Sequence, residues 1–265
     1  MEIRNKIWIS VVAFILSADV FAKVKTEVVE YKDGETTLEG MISYDTNKIG
    51  KGKKAPGVVV VHDWMGVGDY VKMRAEQLAE MGYVAFVADI YGKGVRPKDA
   101  KEASEQATKY KSGDRMLLRS RATAAYNELK KSKWVDVNKI SATGYCFGGT
   151  TALEMARAGL DLKGVVSFHG GLGAVKNEDD KGIKSKLLVL HGAIDPYVPV
   201  AEVSQFVKNL DEAKVDYQFI SYSGAVHSFT HKGAGDDILK GAAYNEKADK
   251  RSFLAAKNFL DEVNK

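Results

Sequence analysis

Gly144-Tyr145-Cys146-Phe147-Gly148-Gly149 joins a short apolar run, residues 140–143, to a helix-forming stretch, residues 147–158, that closes at Gly159. A strand that turns at once into a helix, with Gly two residues to either side of a central Cys, is the Gly-x-nucleophile-x-Gly pattern with sulfur in place of oxygen. The glycines are a physical requirement. The turn is so tight that its central residue takes strained backbone angles, and side chains at the flanking positions would collide. The same turn lifts the sulfur clear of the sheet and sets it at a helix N-terminus, whose unpaired N–H groups favour negative charge. The competing reading is a small buried Cys on an ordinary strand-to-helix turn.

The surrounding sequence repeats the alternation of strand and helix. Upstream, Gly57-Val58-Val59-Val60-Val61 is a continuous apolar run of the kind buried on both faces of a parallel sheet. A helix follows with Asp69 as its cap and Val71, Ala75, Leu78 and Ala79 on one face, then a strand over 83–88 and helices over 97–111 and 115–131. Downstream, strands are expected at 165–168, 187–190 and 217–221, and helices at 201–213 and 245–263. Two β-prone runs, 24–31 and 36–44, flank Asp33-Gly34 and read as an N-terminal β-hairpin; the Gly- and Lys-rich 48–54 reads as a loop. Alternating strands and helices imply an α/β fold, a mostly parallel central sheet with helices on both faces. No linker or repeat divides residues 23–265, which are read as a single domain. In such sheets, reacting groups sit on loops at the carboxyl ends of strands.

Those loops hold the partners a nucleophile needs. Asp195, in Ile194-Asp195-Pro196-Tyr197, follows one strand, and His227, in Val226-His227-Ser228-Phe229, follows the next. The chain order nucleophile, acid, His is that of α/β-hydrolases. His227 would take the thiol proton and return it to the leaving group, while Asp195 would hold the imidazole tautomer. An oxyanion would need preorganised N–H donors. Phe147, following the nucleophile, is one expected donor, and Trp64, in His62-Asp63-Trp64-Met65-Gly66 after the first long strand, is the other. Tyr91, Tyr145, Tyr197 and Phe229 occupy loops from which they could line a partly apolar pocket; for each, plain packing is the alternative. His62, His169 and His191 also stand near strand ends, and His231 lies four residues after His227, but no His-Glu-x-x-His helix or carboxylate-flanked cluster supports a metal. No metal and no cofactor is expected.

On the segments 58–68, Val87-Ala88-Asp89-Ile90-Tyr91-Gly92, the Cys146 turn, 192–199 and His227-Ser228-Phe229, the chain resembles the dienelactone hydrolases, α/β-hydrolases with a Cys-His-Asp triad. The resemblance implies Cys146, Asp195 and His227 as the triad, Trp64 and Phe147 as oxyanion donors, and a carboxylic-ester hydrolase. Asp89 matches a family position and is read as organising its loop. Two positions depart from the pattern. Asp63 stands where family members often carry a Glu that helps deprotonate the thiol, so it is the candidate thiol-activating carboxylate. Dienelactone-specific members use arginines to hold the substrate carboxylate: His231 stands where one of them would be, and the other has no match, although Arg96 and Arg115 are on a plausible rim. The implied substrate is a small ester, thioester or lactone, without support for a dienelactone itself. A non-catalytic or redox-sensing thiol protein, or a peptidase, are the competing functions.

Composition narrows the partners. Among 265 residues, 39 Lys+Arg against 35 Asp+Glu give a net charge of +4 with no basic stripe, which argues against nucleic acid. The single Cys excludes an internal disulfide and a Cys-based metal cage. At the N-terminus, Arg4 and Lys6 precede an apolar run over 7–16 and Val20-Phe21-Ala22, the layout of a secretory signal peptide over 1–22. Such a run spans about 15 Å as a helix, half of a bilayer core of about 30 Å. A periplasmic or secreted protein, off the membrane after cleavage, is expected. The oligomeric state is left open, with a monomer favoured.

Overall fold

The computed structural model describes residues 24–265, so the expected signal segment lies outside the described residues. In chain order the elements are β1 (Lys25–Asp33), β2 (Thr36–Tyr44), α1 (Thr46–Ile49), β3 (Ala55–Val61), α2 (Asp69–Glu80), β4 (Val84–Ala88), α3 (Ala100–Lys111), α4 (Met116–Lys130), β5 (Val135–Tyr145), α5 (Phe147–Arg157), β6 (Gly164–Phe168), β7 (Lys186–Gly192), α6 (Val200–Ala213), β8 (Tyr217–Tyr222) and α7 (Glu246–Val263). One eight-stranded sheet has the order β1-β2-β4-β3-β5-β6-β7-β8. The hairpin pairs antiparallel, β2 meets β4 antiparallel, and every other pairing is parallel. This is the expected α/β-hydrolase architecture with its N-terminal hairpin.

Alternation along β3 explains the two layers. Val58 and Val60 point into a core with Val71, Ala75 and Leu78 of α2 and Phe259 and Leu260 of α7. Val59 and Val61 point into the opposite core, with Leu118, Ala122 and Leu129 of α4, Leu153 of α5 and Leu210 of α6. All four valines are fully buried. Burying each such side chain stabilises by about 1.5–3 kcal/mol.

Several local expectations shift. Asp69 lies inside the first turn of α2 behind Gly68, whereas Asp99 caps α3 by accepting from the Glu102 N–H, so α3 starts three residues later than expected. The Asp45 side chain caps a single helical turn, α1, at the start of the segment read as loop. Strand β5 begins at Val135 rather than 140, because a register shift at Pro56/Gly57 absorbs residues 137–139. None of these changes moves the carboxyl ends of β3, β5, β6, β7 and β8, which share one edge of the sheet because all five run parallel.

Candidate active site

Cys146 is the N-cap of α5, with φ 56° and ψ −115°, the strained conformation expected of the turn. Its flanking glycines are sterically obligatory. A Cβ on Gly144 would overlap the carbonyl of Gly148, and one on Gly148 would lie 2.6 Å from the His62 carbonyl oxygen and closer still to that of Val61. The first turn of α5 is therefore pressed directly against the end of β3, and only glycine allows it.

Three loop residues meet at this point. The His227 Nε2 lies 3.0 Å from Cys146 Sγ, and its Nδ1 lies 2.8 Å from Asp195 Oδ2. Asp195 is buried, and its other oxygen accepts the Tyr197 N–H at 2.9 Å, which fixes the carboxylate. Gly192 lets this loop approach the next one, since a Cβ there would lie 2.6 Å from the Val226 carbonyl oxygen. The loop after β3 turns through Trp64 and is tied down by the Tyr91 hydroxyl, which donates to the Trp64 carbonyl at 3.1 Å. A surface cleft of about 550 Å³ between the β1–β2 turn and α4 contains none of these residues.

A profile of the dienelactone hydrolase family matches residues 44–264. This chain belongs to the dienelactone hydrolase family. It is 38% identical to a crystallised dienelactone hydrolase-like promiscuous phosphotriesterase from metagenomic libraries, with a TM-score of 0.85 over 91% of this chain and 98% of that one. An uncharacterized protein of Caenorhabditis elegans is 36% identical over 152 residues, 55% of this chain and 94% of its own. A probable 2-oxo-3-(5-oxofuran-2-ylidene)propanoate lactonase of Bradyrhizobium sp is 26% identical over 214 residues, 77% of this chain and 85% of its own. The chain is accordingly a hydrolase of the ester and lactone type.

In this dienelactone hydrolase-family site the imidazole is electrostatically loaded. Burial works against the charged form of His227, but the adjoining sulfur and the Asp195 carboxylate outweigh it and raise the group to about 10. Both partners favour the proton, so deleting the sulfur leaves burial less opposed. In Cys146→Ala the His227 titration, followed by NMR, is expected well below its position in the native hydrolase; an unchanged midpoint would show that the sulfur contributes nothing.

Some expected site residues are elsewhere. Tyr145 does not line a pocket. As the neighbour of Cys146 at the end of a strand it points to the other face, where its ring stacks on Phe168 at 4.6 Å under α2 and α7. Phe229 is likewise fully buried, edge-on to His169 at 5.0 Å. Tyr91 is buried beneath the Trp64 loop, with its ring 5.3 Å from that of Phe147. Tyr197 is 60% exposed and meets the His227 ring edge-on at 5.4 Å, so it stands at the mouth. Asp63 does not contact the sulfur: one oxygen accepts the Met65 N–H at 2.8 Å and the other lies 3.8 Å from His231 Nε2. Being one methylene shorter than Glu, it closes on its own loop instead. Arg96 and Arg115 are already held by acidic partners, Arg96 by Glu39 and Asp89, Arg115 by Glu154. Asp89 ties its loop by accepting from the Tyr91 and Gly92 N–H groups and from Glu39 across the sheet.

His169 stands near a strand end in the sequence, with no motif that assigns it a role. The Cys146 N–H, which donates to the Phe168 carbonyl at 3.0 Å, also reaches His169 Nδ1 at 3.1 Å, and His169 Nε2 lies 2.7 Å from Thr230 Oγ1. A backbone N–H can only donate, so Nδ1 is the acceptor and Nε2 carries the proton. Burial, reinforced by the His227 charge, holds His169 well below the ordinary imidazole range and keeps it neutral for this task. Its φ of 40°, at the end of β6, is the structural mark of that placement.

Proposed function

We propose that this hydrolase cleaves small, neutral, partly apolar esters, thioesters or lactones by covalent catalysis at Cys146. The observation that carries the reading is the continuous chain from Sγ through His227 to Asp195, 3.0 Å and then 2.8 Å long. The Cys146 thiol gives its proton to His227 Nε2, the sulfur attacks the acyl carbon and the carbonyl π electrons move onto oxygen. The Trp64 and Phe147 N–H groups, neither of which has a protein acceptor among the described residues, receive that oxyanion. As the tetrahedral species collapses, the His227 Nε2–H protonates the departing alkoxide or thiolate, leaving a thioester on Cys146. Water then attacks, giving its proton to His227, and the second collapse releases the acid and restores the sulfur.

Substrate class follows from the rim. Trp64, Met65, Ile194, Tyr197, Ile238 and Leu239 are exposed large apolar groups on loops that carry or adjoin the site. The guanidinium groups nearest in sequence to a carboxylate-holding role already have acidic partners. A neutral acyl chain gains from such a rim, while Arg96 and Arg115, each held by acidic partners, are not free to take an anionic one. A thiol-sensor reading accounts for Cys146 but leaves the Asp195 contact and the two open amides without a task.

The test is a panel of aryl esters and lactones, neutral and anionic, with an aryl phosphotriester added because one similar chain is named for that activity. Intact-protein mass spectrometry should find an acyl adduct on Cys146, and kcat/KM should be at least tenfold higher for neutral than for anionic esters of equal reactivity. Turnover without any adduct in a rapid quench would overturn the thioester route.

A further inference from the structure

We propose that His62 is a positioning residue of the oxyanion site, orienting the Trp64 N–H by holding the other side of the same peptide group. This inference rests on the reading of the Trp64 amide as an oxyanion donor. His62 is fully buried at the carboxyl end of β3. Its Nε2 lies 3.2 Å from the Ile90 backbone nitrogen and its Nδ1 2.6 Å from the Asp63 carbonyl oxygen. The Ile90 N–H can only donate, so Nε2 contributes its lone pair and the proton of the neutral ring sits on Nδ1, where it donates to Asp63. Burial keeps that ring neutral, lowering it from the ordinary imidazole value.

The Asp63 carbonyl and the Trp64 N–H are the two ends of one trans peptide plane and point in opposite directions. The oxygen accepts the Gly66 N–H at 3.2 Å as well, and the shorter bond from the buried imidazole, at 2.6 Å, adds the side-chain hold that fixes where the N–H points. The next carbonyl, that of Trp64, is held by the Tyr91 hydroxyl, so two successive peptide groups are locked from beneath. The His62 ring also stacks on Phe147, at 5.7 Å and 13° between planes, and meets Tyr91 edge-on at 4.7 Å. It thus touches residues on both halves of the oxyanion site. An N–H on a peptide whose carbonyl already accepts a short hydrogen bond is also a stronger donor, because the two bonds polarise one another.

The experiment separates acyl chemistry from the reactivity of the sulfur. Alkylation of Cys146 by iodoacetamide occurs at a saturated carbon and creates no oxyanion, whereas ester cleavage does. In His62→Phe, kcat for a neutral aryl ester should fall about 10- to 100-fold with KM within threefold, while the alkylation rate stays within twofold. His62→Asn, whose side-chain N–H falls near the position of Nδ1, should recover a substantial part of the loss. Ester turnover within twofold of native in His62→Phe would overturn the proposal, as would a parallel fall in alkylation and turnover. Should neither variant fold, ¹⁵N NMR of the native protein reads the ring directly: a proton on Nδ1 is required, and a proton on Nε2 overturns the assignment. Failure of the thioester reading has a different signature, namely activity that survives in Cys146→Ala whatever His62 does.

Discussion

Replacing Cys146 by Ala is expected to lower kcat/KM on a neutral aryl ester by at least about 10⁴-fold, and His227→Ala by a comparable factor, with folding intact in both. The reason lies in the geometry around one atom. Sγ is the group 3.0 Å from the imidazole, and the imidazole's other nitrogen is committed to Asp195. Neither residue has an independent route to the substrate, so the two act as a unit. The double variant Cys146→Ala/His227→Ala should therefore be no slower than Cys146→Ala alone, within about threefold, because groups that act together are not additive. Steady-state rates and a urea melt on the three proteins decide the matter. Two losses that multiply would mean that the side chains work separately and that the relay is wrong; full activity in Cys146→Ala would remove the thioester mechanism altogether. Some residual rate is expected from the Trp64 and Phe147 amides, which do not depend on either side chain.

The difference between what was legible in the sequence and what was not follows from the range of each interaction. The strand–Cys–helix turn is a short sequence pattern: Gly144 answers to a collision with Gly148 four residues on, and Gly148, although its own collisions are with the end of β3, stands at a fixed spacing from Cys146, so the two glycines announced it. Asp195 and His227 were legible because parallel strands bring their carboxyl ends to one edge, which makes chain order a guide to position. Pocket lining was not legible. Tyr145 follows the strand's alternation to the far face and Phe229 turns inward, and neither direction is set by residue type. Asp63 was misplaced by a single methylene: its side chain bonds the amide two residues ahead before it can reach the sulfur. His62 and His169 were seen as unassigned imidazoles at strand ends. Their partners are backbone groups of other loops, the Ile90 N–H and the Cys146 N–H, which appear only when those loops are brought together in space.

Gly148→Ala tests the link between packing and chemistry, because helix propensity and tertiary contact predict opposite outcomes. Gly148 is in α5, and in a solvent-exposed helix interior Ala would be better by about 1 kcal/mol. Here the added methyl would meet the carbonyl oxygens of Val61 and His62, which belong to the backbone at the end of β3 and have no rotamer through which to withdraw. Either α5 moves off the sheet or the end of β3 does, and both movements displace the Cys146 turn from His227. Overpacking of a core ordinarily costs about 1–3 kcal/mol and sometimes more; with backbone on both sides of the collision, a loss of about 3 kcal/mol or more is expected. A shift of about 1 Å between reacting groups is enough to cost about 10²-fold in rate, so kcat should fall by at least that factor in whatever folded protein remains. Gly34→Ala supplies the contrast: that glycine has φ 56° with no atom within 4 Å of the added carbon, so only backbone strain opposes the change. It should cost about 1–2 kcal/mol and leave kcat unchanged. Urea unfolding and initial rates on the two variants separate the cases. If Gly148→Ala were as stable and as active as the native chain, the close seating of α5 against β3 could not be what holds the sulfur in place.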